Sequence, residues 1–127
     1  MPVRVVSQED IPAQDLPGRK LQWLVTPETL GVERIGIAIM DCPAHSTVRP
    51  LHGHRDTEEV LLILAGQGEA WVDGDTASFR KGDAVLFPAN SQHMVRNTGD
   101  EPLITASIFS PPTSPASYML FEEPEGW

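Results

Sequence analysis

The stretch Leu51-His52-Gly53-His54-Arg55-Asp56-Thr57-Glu58-Glu59-Val60-Leu61-Leu62-Ile63-Leu64-Ala65-Gly66-Gln67-Gly68-Glu69-Ala70-Trp71-Val72-Asp73-Gly74 decides the fold. It holds an apolar run at residues 59–64, ended by Gly66-Gln67-Gly68, and a second run at 69–72 that ends on Asp73-Gly74. An Asp-Gly pair after such a run signals a tight β-hairpin, because both central residues of that turn take positive φ. Each run is too short for a helix, so both read as strands.

The same pattern extends in both directions. Upstream, residues 21–25 form a strand candidate, 27–31 a turn, and 34–40 alternate large and small side chains as a strand packed on both faces does. Downstream, strands are expected at 76–79, 84–87, 93–97 and 103–109. Arg80-Lys81-Gly82-Asp83, Pro88-Ala89-Asn90 and residues 97–102 mark the turns between them. Twelve prolines and ten glycines break the chain about every ten residues, and no window keeps helical spacing for three turns. An all-β fold follows, a small antiparallel β-barrel or sandwich. We expect one domain over residues 1–127, with an irregular arm at 1–19, a barrel at 20–110 and a Pro-rich tail at 111–127.

Composition narrows the function classes. Apolar residues make up 40% and charged residues 21%, within the range of globular proteins that fold unaided. The net charge of -9 and the lack of any Lys/Arg cluster exclude nucleic-acid and anionic-membrane partners as expectations. No leader or spanning segment is expected, which makes the cytoplasm the default location. Cys42 is the single cysteine, so no intrachain disulfide can form, and it reads as a small buried hydrophobe.

Three of the four histidines fall into a spaced set with one glutamate: His52, His54, Glu59 and His93. In a strand, side chains at i and i+2 share a face, so His52 and His54 can reach one point. Glu59 lies five residues later and joins them only if the chain turns between, for which Arg55-Asp56-Thr57 offers the polar stretch. Three imidazoles and a carboxylate suit one divalent transition metal ion, Fe, Mn, Ni, Zn or Cu, better than Ca or Mg. A solvated polar face is the alternative for the histidine pair taken alone. His45 reads as a solvated loop residue, Trp23, Trp71 and Trp127 as packing, and Arg49, Arg55 and Arg96 as surface charge.

These residues resemble the cupin family. Its first motif, G-x5-H-x-H-x3,4-E-x6-G, is matched by His52-x-His54-x4-Glu59-x6-Gly66, with Ser46 in place of the leading glycine. Its second, G-x5-P-x-G-x2-H-x3-N, is matched by Gly82-x5-Pro88-x-Asn90-x2-His93-x3-Asn97, with Asn90 replacing the inner glycine. Asn tolerates the left-handed backbone that a turn there requires. The resemblance implies a double-stranded jelly roll that holds its metal through His52, His54, Glu59 and His93.

On that barrel, strand alternation predicts that Leu61, Ile63, Val95, Ser107 and Phe109 line the cavity with the ligands. A mostly apolar pocket around one ion favours a compact small-molecule substrate that ligates the metal through oxygen. The resemblance implies a dioxygenase-like enzyme. A redox-neutral lyase, decarboxylase or isomerase, or a non-catalytic binding protein, stands as the alternative. Tyr118 is the candidate acid–base group, provided the tail folds over the mouth. The ending Ile108-Phe109-Ser110-Pro111-Pro112 is similar to that of single-domain cupins acting on unsaturated uronic sugars. Ser107 and Thr113 replace the acid and the arginine found there, which argues against that activity. A homodimer formed through the outer face of residues 21–25, with Trp23, is expected.

Overall fold

The computed structural model describes residues 2–127. In chain order the strands are β1 (Gln14–Leu16), β2 (Arg19–Val25), β3 (Gly36–Cys42), β4 (Thr47–His54), β5 (Glu58–Ala65), β6 (Gln67–Val72), β7 (Asp75–Arg80), β8 (Ala84–Phe87), β9 (His93–Asn97), β10 (Leu103–Ser110) and β11 (Tyr118–Leu120). They build two antiparallel sheets, ordered β1-β2-β3-β10-β5-β8 and β11-β4-β9-β6-β7, which face each other as the jelly roll that the family resemblance implies.

Alternation decides which residues meet between the sheets. On β5, Glu59, Leu61 and Ile63 are buried while Glu58 and Leu64 are exposed, and on β3 Ala38, Met40 and Cys42 are buried. The opposite sheet contributes Val48, Ala70, Phe79 and Val95 to the same core. Burying each large side chain of this kind contributes about 1.5–3 kcal/mol, which holds a one-residue register slip in check. Asp73 and Gly74 take φ of 47° and 95°, the primed turn their pairing predicted between β6 and β7. Asn97 anchors the loops at the far end. Its side-chain amide donates to the carbonyls of Cys42, Pro43 and Glu101, and its oxygen accepts from the Gly99 N–H.

Four expectations need correction. Residues 1–19 are not wholly irregular, because β1 pairs with β2 (Gln14↔Leu21, Leu16↔Arg19) and Arg19 opens β2. A three-residue edge strand leaves no periodicity to read in its own sequence. Gln67 and Gly68 belong to β6, so Gly66, at φ 86°, makes the turn with far fewer residues than expected. The tail is partly ordered as β11, which lies on β4 in register Tyr118↔His54 and Leu120↔His52. Finally, Trp23 does not present an outer face. It packs inward against Phe109, with ring centroids 5.8 Å apart.

Candidate metal centre

β4 carries His52 and His54 and β9 carries His93, with His52 opposite His93 across the ladder. The register shifts between Val48 and His52, where Pro50 has no N–H to give the ladder. Gly53 sits between the two ligands because nothing larger fits: a Cβ there would lie 2.4 Å from the Ser91 carbonyl oxygen. After His54 the chain reverses at Asp56, whose φ is 54° and whose N–H donates to the Asn90 side-chain oxygen at 2.9 Å. Asn90 itself has φ 67° and donates its N–H to the His54 carbonyl. This turn is what returns Glu59, on β5, to the face of His52 and His54.

The four side chains converge. One ring nitrogen from each of His52, His54 and His93 lies within 4.8 Å of the others. Glu59 Oε1 stands 3.2 Å from His54 Nε2 and 3.3 Å from His93 Nε2. All four are buried, Glu59 at 5% exposure and His93 at 2%. His93 Nε2 and Glu59 Oε1 nevertheless have no hydrogen-bond partner with acceptable geometry. Buried polar atoms left so are costly, and lone pairs aimed at one point are satisfied together by a cation. The residues present therefore fit a divalent transition metal ion.

The remaining nitrogens fix the tautomers. His52 Nδ1 lies 2.9 Å from the Pro50 carbonyl, which only accepts, so Nδ1 carries the proton and Nε2 keeps its lone pair. His54 Nδ1 lies 3.1 Å from Thr113 Oγ1, and Thr113 Oγ1 lies 3.0 Å from Ser117 Oγ. The Ser117 hydroxyl donates to the Ser114 carbonyl, so Thr113 donates to Ser117 and accepts from His54 Nδ1–H. His54 Nε2 is thereby left bare toward the centre. His93 is held by stacking on Phe87, with centroids 4.1 Å apart and planes 4° from parallel.

Electrostatics favour ligands ready for a cation. Burial, then the nearness of His93, pushes His52 down to about 3, so its imidazole is neutral at any ordinary pH. Burial by itself raises Glu59, but the contacts with His54 and His93 together outweigh it and hold the carboxyl well below the usual carboxylate range. Neutral imidazoles and an ionised carboxylate are the forms that bind a metal.

The ligands close the inner end of a cavity of about 50 Å³ walled by Leu61, Phe87, Val95, Ser107 and Phe109. Ile63, placed in this wall by alternation, is buried in the core farther along β5 and does not reach it. A vestibule of about 940 Å³ leads in, between β1, β2 and the Pro112–Ser114 stretch. Tyr118 lines both spaces, its ring stacked on His52 at 5.0 Å, and burial raises its hydroxyl above the ordinary phenol value. Trp23 and Arg19 also line both. Arg19, Thr113 and Phe87 escaped the sequence reading. Only Thr113 had left a signal, as a substitution after the proline pair. The other basic candidates are engaged elsewhere: Arg49 pairs with Glu123, and Arg96 pairs with Glu69 at 3.1 Å and covers Trp127. His45 is exposed and meets Asp100 at 2.8 Å. Among the described residues no helix is long and apolar enough to cross a membrane.

A family model described as "Cupin domain" matches residues 38–109. The chain is 33% identical over 100 residues to "Polyketide synthase CurC" of Streptomyces cyaneus, a match covering 77% of this chain and 63% of that protein. It is 32% identical over 104 residues to "Protein SchB" of Streptomyces halstedii, covering 76% and 70%. Among solved structures, the polyketide cyclase RemF from Streptomyces resistomycificus superposes with a TM-score of 0.75 over 97% of this chain and 88% of that one. At 17% identity that likeness concerns the fold alone.

Proposed function

Since the chain belongs to the cupin family, we propose that it is a metal-dependent enzyme acting on a small molecule that chelates one divalent transition metal ion through oxygen. The observation that carries this reading is the buried convergence of His52, His54, Glu59 and His93 at the closed end of an apolar cavity. When bound, the ion supplies Lewis acidity and, if redox-active, access to dioxygen chemistry. The chain's own residues do the rest.

An inner space of about 50 Å³ admits only the compact chelating head of a substrate, while its carbon skeleton rests in the vestibule against Trp23 and the proline wall. Leu61, Phe87, Val95 and Phe109 keep bulk water from the reacting atoms. The Tyr118 hydroxyl, protonated at neutral pH, holds the proton that a reacting oxygen or carbon would take up. Ser107 adds a hydroxyl on the opposite wall. Dioxygenase chemistry is the first reading, since a dry apolar chamber suits oxygen activation. Redox-neutral chemistry, a lyase, isomerase or cyclase step on a polycarbonyl compound, is the second. What favours it is the 33% identity to a protein named as a polyketide synthase.

Oxygen consumption by Fe(II)-reconstituted protein with a panel of 1,3-diketones and catechols tests the first reading, and anaerobic NMR of the same mixtures tests the second. Oxygen uptake with one compound supports the dioxygenase. Conversion without oxygen supports the redox-neutral enzyme, and tight binding without conversion by either measure would leave a binding protein. A cytoplasmic homodimer completes the proposal. The exposure of Leu64 and Leu86 on the outer face of one sheet supports pairing there, and a monomeric mass in solution scattering would refute it.

A further inference from the structure

Arg19 is a buried cation in the cavity wall for which the protein supplies no counter-charge. It is 9% exposed, and among the described residues no carboxylate lies within salt-bridge distance of it. One nitrogen, Nη1, donates to the Pro17 carbonyl at 3.0 Å and the Arg49 carbonyl at 2.8 Å. These two bonds clamp the guanidinium in place. Its remaining nitrogens bond no carbonyl or carboxylate; the Tyr118 hydroxyl lies within hydrogen-bonding reach of the guanidinium, and Tyr118 and Cys42, the titratable neighbours that influence it, are both neutral at ordinary pH.

Burying a cation is costly unless it is paired, and a guanidinium fixed at one edge presents its other donors as a ready fork for an anion. Arg19 and Tyr118 both line the inner cavity and the vestibule, so the guanidinium without a counter-charge stands at the junction between them. With a divalent ion bound, the single negative charge of Glu59 leaves this chamber net positive inside a protein whose net charge is -9. That contrast favours an anionic guest.

We propose that Arg19 is the substrate anchor of this site and that the substrate is an organic carboxylate, its acid group held by Arg19. The remainder reaches the metal centre. The inference rests on the metal-enzyme reading above but is tested apart from it.

The test is calorimetric titration of 2-naphthoate and of its neutral isostere 2-naphthamide, at low ionic strength, into metal-free and Zn(II)-loaded protein. The expected result is about tenfold or greater preference for the carboxylate in both forms, since a charge-assisted pair is lost with the amide. R19M should level the two probes, while R19K, which keeps the charge without the fork, should retain part of the preference. Should R19M not fold by circular dichroism, R19Q replaces it as the neutral variant. A wild-type protein that binds both probes equally, or neither, overturns the proposal, as does a folded neutral variant that keeps the preference. Preference in the metal-free protein together with failure to bind zinc would sink the metal reading and leave the anchor standing. Zinc binding without preference would do the reverse.

Discussion

Replacing Thr113 with valine keeps the shape of the side chain and removes its oxygen. In the folded protein that oxygen accepts from His54 Nδ1–H at 3.1 Å and donates its own O–H to Ser117, whose hydroxyl ends the chain on a carbonyl. The relay sets the tautomer that leaves His54 Nε2 bare. In T113V the ring can rotate or shift its proton to Nε2, and either must be reversed before a metal binds. Losing a partner of this kind weakens metal binding by about 10–100-fold, or about 1.4–2.8 kcal/mol. The lost hydrogen bond itself should lower metal-free stability by only about 1 kcal/mol. Competition for Zn(II) against a chromophoric chelator reads the first quantity and urea denaturation the second. T113S should bind zinc like the wild type, because it restores the acceptor. A T113V affinity within about twofold of wild type would refute the claim that this hydrogen bond orients His54.

Two further substitutions probe other parts of the site and core. Gly53→Ala drives a Cβ to 2.4 Å from the Ser91 backbone oxygen, and backbone on both sides cannot yield cheaply. We expect about 1–3 kcal/mol loss in urea denaturation with weakened zinc binding, whereas unchanged stability would show that β4 can move. Burial pushes the Cys42 thiol up to about 11, and the residue is fully buried. Native protein should therefore react with a disulfide reagent at pH 8 only as fast as it opens. A raised folded-state value stabilises relative to an ionised thiol only below the unfolded value near 9, so that contribution is lost as pH rises from 9 toward 11. C42A, which cannot ionise, should lack this share of the alkaline loss; an identical alkaline profile in C42A would count against it.

Legibility in the sequence followed the distance over which each feature is specified. The hairpin at Asp73-Gly74 and the alternation of β5 are written in adjacent residues, and they are found where they were read. His52, His54, Glu59 and His93 were legible as a set because two spaced motifs fix them. The Asp56 turn that unites them depends on Asn90, from the second motif. Features set by partners far along the chain were not legible. β1 and β11 are short edge strands whose order comes from β2 and β4. Trp23 was assigned to the wrong face because residues 21–25 are half-buried throughout and show no alternation. Ile63 shares a face with Leu61, but periodicity says nothing about depth along the barrel. Arg19 left no mark at all, since its meaning lies in two carbonyls and a flank without a counter-charge that only the fold assembles.

The central claim is that four buried side chains hold one metal ion, and elemental analysis of dialysed protein after loading with Co(II) or Zn(II) tests it most directly. One ion per chain in the wild type and a near-empty site in H93A, with both proteins folded by circular dichroism, is the predicted result. Wild-type protein that retains no metal, or H93A that retains as much as the wild type, would contradict it.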